Sequence, residues 1–143
     1  MKRPPEKHGF SGYILILFLA IGIVVLLQEK NPGVRTIGAD EVAQLLRTDS
    51  TVVLLDVRDK DEWNSSAGHI RNAIWIPLQD LPSRFSQLKP YRDRRIIVYC
   101  RSGSRSGRAT RILSDSGFNA ANMTGGIRAW SARQLPVLQE KAP

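Results

Sequence analysis

"RRIIVYCRSGSRSGRATRILSDSG", residues 94–117, decides the fold. It begins with two arginines and a continuous apolar run, the pattern of a strand buried on both faces. "RSGS", residues 101–104, breaks the run at a glycine. "SRSGRATRILSDSG", residues 104–117, then reads as a helix closed by Gly117, the usual residue for a left-handed cap. A strand running straight into a helix is half of a crossover unit, and crossover units build parallel sheets. The junction also holds the chain's only cysteine, Cys100, followed within eleven residues by Arg101, Arg105, Arg108 and Arg111.

The same alternation extends outward. "ADEVAQLLRT" places Val42, Leu45 and Leu46 on one helical face. "TVVLLDV" is a second buried strand and "AIWIP" a third, ended by Pro77. "LPSRFSQLK" predicts a short helix with Leu81, Phe85 and Leu88 on one side. "NAANMTGG" predicts a last strand and "GGIRAWSARQ" a last helix. The expected class is α/β, a mostly parallel sheet in one domain from Ile37 to Leu138 (residues 37–138) with a short tail, 139–143.

Upstream, "FSGYILILFLAIGIVVLL", residues 10–27, has 18 residues without a charge. A helix of that length spans about 27 Å, near the roughly 30 Å of a bilayer's hydrocarbon. A cleaved leader would carry a shorter apolar stretch and a small-residue cleavage site, whereas this one ends in "QEKNPG". The reading is one transmembrane helix after a basic tail, residues 1–9, and before a linker, residues 28–36. Taken together, Lys2, Arg3, Lys7 and the α-amino group lie closer to the span than Lys30, Arg35 and Arg47 do. That places the N-terminus in the cytoplasm and the domain on the extracytoplasmic side.

The net charge is +8, and 42% of residues are hydrophobic, the balance of a globular chain rather than a disordered one. No run of Lys/Arg exceeds two residues, so no nucleic-acid partner is expected. A single cysteine excludes an intramolecular disulfide and a cysteine-based zinc cage. If Cys100 is a nucleophile, its second partner comes from another molecule.

In an open α/β sheet, ligands bind beyond the carboxyl ends of the strands, where the apolar run delivers Cys100. Gly103 permits a tight turn whose backbone N–H groups point into one concavity. The helix that follows adds the partial positive charge of its N-terminus. With Arg101 and Arg105, these features favour thiolate over thiol. Such settings move a cysteine from about 8.5 to between roughly 3.5 and 7.5. They also suit an anion held beside the sulfur. The plain alternative is a space-filling cysteine at a strand end.

"CRSGSRS" resembles the active-site loop of single-domain rhodaneses, the thiosulfate or persulfide sulfurtransferases. "LLDVRDKDEW", "AGHIRNAIWIP" and "GGIRAW" are similar to that family's other signatures and come in the same order. Asn72 stands where the family usually has glycine, and Trp63 where tyrosine or phenylalanine is commoner. The resemblance covers residues 37–138. It implies a sheet of about five parallel strands flanked by helices on both sides, and a two-step reaction. Cys100 takes the outer sulfur of a small anionic donor such as thiosulfate as a persulfide. A thiol or cyanide acceptor then removes it. No metal or organic cofactor is implied. Arg101, Ser102, Gly103, Ser104 and Arg105 are the expected substrate-binding residues. Phosphatases and arsenate reductases of this fold place five residues between cysteine and arginine. Here there are four, a smaller cradle. A tethered binding module without activity is the alternative from another class.

Asp56, at the same sheet edge, and Arg58 are supporting residues. Asp56 reads as a cap or salt bridge for the turn after its strand, and Arg58 as an ion pair with Glu62, four residues on. His69 opens a strand and is not expected to act as a base. Trp63, Trp75 and Trp130 are expected in the core.

Overall fold

A computed structural model describes Ile16, Phe18 and residues 33–141. The chain divides into two compact units, residues 1–33 and 34–143. In the first, Ile16 and Phe18 are helical and exposed. The rest of the expected transmembrane segment 10–27, the basic tail and residues 28–32 lie outside the described residues. Among the described residues no helix is long and apolar enough to cross a membrane.

The second unit is an α/β domain. Its elements are β1 (Thr36–Ile37), α1 (Ala39–Thr48), β2 (Val53–Asp56), α2 (Lys60–Trp63), β3 (Ile74–Trp75), two 3-10 segments (Leu78–Asp80 and Phe85–Tyr91), β4 (Arg95–Tyr99), α3 (Ser104–Asp115), β5 (Asn119–Met123) and α4 (Gly126–Ala132). The five strands lie in the order β1-β5-β4-β2-β3, and every pairing is parallel. This is the sheet the alternation of strands and helices predicts.

Strand side chains alternate between faces, so the central strand feeds two cores. Ile96, Val98 and Cys100 join Leu55, Ala109 and Leu113 on the α3 side. Ile97 and Tyr99 join Val42, Ile127 and Trp130 on the side of α1 and α4. Helices thus cover both faces. α3 buries Ser106, Ala109, Thr110 and Leu113, one stripe at helical spacing, and the chain turns at Gly117 with φ +82°.

Several boundaries differ from the sequence reading. Thr36, assigned to the linker, pairs with Asn122 in β1, and the Arg35 carbonyl accepts from the Asn122 N–H at 2.8 Å. The predicted helix over "LPSRFSQLK", residues 81–89, is instead a run of turns that leads into the second 3-10 segment. Pro82 and Pro90 lack the N–H that a continuous helix needs, although Leu81 and Leu88 are fully buried as expected. α2 was not anticipated. It is one turn long and is set by a capping box, with Glu62 Oε2 3.4 Å from the Asp59 N–H. Asn72 takes φ +60°, the left-handed conformation that asparagine tolerates better than most residues. His69 and Leu138 exchange two backbone hydrogen bonds of 2.8 Å, which tie the C-terminal segment to the loop before β3.

Candidate functional site

β4 ends at Tyr99 and delivers Cys100 to the carboxyl edge of the sheet, 1% exposed. Residues 101–103 turn the chain, and α3 starts at Ser104. Gly103 makes that turn at φ +101°, which only glycine adopts readily. Its N–H points back at Cys100 Sγ, 3.1 Å away, and Ser106 Oγ lies 3.3 Å from the same sulfur. Burial pushes the thiol up. Hydrogen bonds to the thiolate from the Ser106 hydroxyl, and from the backbone N–H groups of Ser106, Ser102 and Gly103, outweigh burial and leave it below its ordinary value.

Two further elements hold the loop. The Cys100 carbonyl accepts from the Ile127 N–H at 2.8 Å, and the Arg101 carbonyl from the Arg128 N–H at 3.2 Å. α4 can come this close because Gly126 has no side chain. A Cβ there would stand 2.3 Å from the Cys100 oxygen and 2.7 Å from the Arg101 carbonyl. From β5, Asn122 Nδ2 donates to the Gly103 carbonyl at 3.1 Å, and Asn122 Oδ1 accepts from the Ser106 hydroxyl at 2.6 Å.

The expected anion cradle is only partly assembled. Gly103 turns an N–H on the sulfur, and Ser102 contributes through its backbone. The side chains of Arg101, Ser102 and Ser104 sit on exposed residues. Arg105 is already engaged. Its guanidinium meets Glu62 at 2.6 and 2.8 Å and Asp59 at 3.0 Å, bridging α3 to the start of α2. The charge of Arg105 is therefore largely balanced by these carboxylates. In return it holds the Glu62 carboxyl below the usual carboxylate range.

The Arg58–Glu62 ion pair expected from the spacing does not form. Arg58 turns instead to Asp56, with Nε 3.0 and 2.9 Å and Nη2 2.6 Å from the carboxylate oxygens. Both residues are buried. The carboxylate also caps the Arg58 N–H at 2.9 Å, and Nη2 donates to the Gly68 carbonyl at 2.7 Å. Toward Glu62, Arg58 offers only Nη1 to the backbone carbonyl, at 3.3 Å. Asp56 is thus the salt bridge of the turn after its strand, and the pair's hydrogen bonds run to the carbonyls of Gly68 and Glu62 rather than to the cysteine loop.

Arg58, Glu62 and Arg101 line a cleft of about 1140 Å³ together with Ser66, Arg128 and Ser131. A more apolar groove of about 570 Å³, between α1 and the C-terminal segment, includes none of the loop residues. His69 stacks on Trp63 with ring centres 3.8 Å apart, and no hydrogen bond links it to Cys100. Trp63 and Trp130 are buried as expected, and Trp75 is half-buried.

Sequence reading missed Ser106, Asn122, Asp59, the carboxylate role of Glu62, and Gly126. Two signals were present. Asn122 is a polar residue inside a strand, and Asp59 with Glu62 has the spacing of a capping box.

A lone hydrogen-bonded thiol, set between a central parallel strand and the helix that follows it, defines a class of α/β domain with a cysteine loop. The match to the Rhodanese-like domain model over residues 38–133 makes it specific: the chain belongs to the rhodanese-like domain family. It is 34% identical over 106 residues to a sulfurtransferase of Allochromatium vinosum, covering 73% of this chain and 95% of that protein. It is 29% identical over 103 residues to a putative sulfurtransferase of Bacillus subtilis, covering 72% and 96%. The crystal structure of a rhodanese-related protein from Thermoplasma volcanium superposes with a TM-score of 0.67 at 33% identity, covering 74% of this chain and 99% of that one.

Proposed function

We propose that this protein is a membrane-tethered sulfurtransferase. It moves the outer sulfur of a small anionic donor such as thiosulfate to a thiol or cyanide acceptor, through a persulfide on Cys100. The observation that carries the reading is the Gly103 N–H, 3.1 Å from Cys100 Sγ at a strand–helix junction. In the first half-reaction the thiolate attacks the sulfane sulfur, the S–S bond of thiosulfate breaks, and sulfite leaves with the electron pair. In the second, cyanide attacks the outer sulfur of the persulfide, thiocyanate leaves, and the thiolate returns. On the enzyme the charge sits on sulfur in both the thiolate and the persulfide, so hydrogen-bond donors in the loop suffice, and the reaction calls for neither a metal nor an organic cofactor. The four residues between Cys100 and Arg105 favour a terminal sulfur over a tetrahedral phosphate.

The test is the intact mass of the full-length protein after thiosulfate treatment and removal of excess donor. A gain of one sulfur atom that cyanide removes as thiocyanate supports the reading. No gain, with the thiol still free, favours a binding module.

The tether rests on residues 10–27, 18 residues without a charge. The three leading cations favour a domain on the extracytoplasmic side. Full-length protein is expected to stay in the membrane pellet through an alkaline carbonate wash, and a chain starting at Gly33 is expected to be released. Release of both would remove the tether.

A further inference from the structure

Ser106 has one hydroxyl proton and two acceptors in reach. Its Oγ lies 2.6 Å from Asn122 Oδ1 and 3.3 Å from Cys100 Sγ. The far end of the asparagine amide fixes which atom faces which. Nδ2 lies 3.1 Å from the Gly103 carbonyl, which can only accept, so Oδ1 is the atom turned to Ser106. Oδ1 also can only accept, so the hydroxyl proton points at Asn122 and a lone pair of Oγ faces the sulfur. That suits a thiol, whose S–H donates to Oγ and extends the chain to the amide. A thiolate needs the opposite, a donor turned toward it. Ser106 and Asn122 are both buried, where an unpaired polar atom is costly.

We propose that Asn122 is a positioning residue for Cys100, acting through Ser106: it holds the hydroxyl proton away from the resting thiol and gives it up to the thiolate. This rests on Cys100 being the nucleophile. When the S–H proton leaves to solvent, the Ser106 hydroxyl rotates about its C–O bond, breaks from Oδ1 and donates to the sulfur. When Cys100 carries a persulfide, the inner sulfur is neutral and the charge sits on the outer one. The hydroxyl then returns to Asn122. Asn122 thereby makes the donor respond to the charge on the attacking atom. The charged groups around the loop are Arg101 in the loop, Arg105 on α3 with Glu62 and Asp59, Arg128 on α4, and the Asp56–Arg58 pair at the end of β2. Substituting Asn122 or Ser106 alters none of them.

The test is the pH titration of Cys100 thiolate absorbance in the ultraviolet on the full-length protein, with Cys100→Ser as the blank. In Asn122→Ala the hydroxyl has no competing acceptor, and the midpoint is expected to fall by about one pH unit. In Ser106→Ala it is expected to rise. In the double variant it is expected to match Ser106→Ala, because the effect of Asn122 passes through the hydroxyl. A merely structural Asn122 would loosen the loop, withdraw the Gly103 N–H and raise the midpoint in either background. A rise or no change in Asn122→Ala, or the same shift with and without Ser106, overturns the proposal. If Asn122→Ala does not fold, Asn122→Leu fills the space without an acceptor. The wild-type protein also offers a direct readout: below the midpoint, its one S–H Raman band should sit at a hydrogen-bonded frequency and move up in Ser106→Ala. A free S–H band in wild type also overturns the proposal. No sulfur donor is used, so inactivity toward thiosulfate leaves these outcomes intact.

Discussion

A serine in place of Cys100 keeps an acceptor for the Gly103 N–H and loses the sulfur. The swap is small, so Cys100→Ser is expected to abolish persulfide formation while shifting stability by about 1 kcal/mol, read by mass and by chemical denaturation. Asp56→Ala is the opposite case. It leaves the Arg58 guanidinium buried and unpaired, and a loss of about 3–5 kcal/mol is expected in denaturant titration. Glu62 gives the domain a pH dependence. Arg105 keeps its carboxyl ionised in the folded chain at pH values where the unfolded chain has bound a proton. Stability from this contact is therefore complete above the ordinary glutamate range and is lost as pH falls through the lowered folded value. Glu62→Gln is expected to flatten that part of the acid slope in denaturant midpoints against pH. The Gly103 turn beside Cys100 was legible because the two lie three residues apart, whereas the ion pairs of Arg105 with Glu62 and Asp59 were not, because they join α3 to residues more than forty positions earlier. Asn122 was not, because its partners Gly103 and Ser106 lie 19 and 16 residues away in sequence and meet it only once β4 and β5 pair. The Arg58–Glu62 reading failed for a related reason. Spacing of four implies contact only along a continuous helix, and α2 begins after Arg58.

At the scale of elements, α4 acts on the cysteine through its backbone. Ile127 and Arg128 donate to the carbonyls of Cys100 and Arg101, and Gly126 allows the approach. Gly126→Ala is expected to push α4 off the loop and reduce sulfur transfer by about 100-fold, the scale of a misplacement of about 1 Å. Far-ultraviolet circular dichroism should stay close to wild type. A fully active variant would show that the loop holds its shape without α4. The long apolar strands, β2 and β4, were legible from composition alone, since strands buried on both faces need no polar alternation. β1 is two residues long and α2 four. Elements that short owe their form to pairing and capping more than to periodicity. The 3-10 segments show the reverse, a correct apolar face on a backbone that two prolines keep from becoming a helix.

For the whole molecule, alternating strands and helices made a parallel sheet legible, but not the strand order. Which strands become neighbours depends on how each crossover packs, and periodicity does not encode that. The described domain contains Cys100 and the hydrogen bonds described around it. A chain beginning at Gly33 is expected to keep thiosulfate-to-cyanide transfer near the full-length rate in a thiocyanate assay, and loss of that activity would make the N-terminal unit part of the working site. The position of those contacts along the chain has a consequence for biosynthesis. The supports that reach the loop from later elements, Asn122, Gly126, Ile127 and Arg128, all come after residue 119, in the last strand and helix. A ribosome makes them after the loop itself. Until they emerge, the nascent chain carries Cys100 without these later supports, so the loop takes its described shape only after residue 128 has left the ribosome.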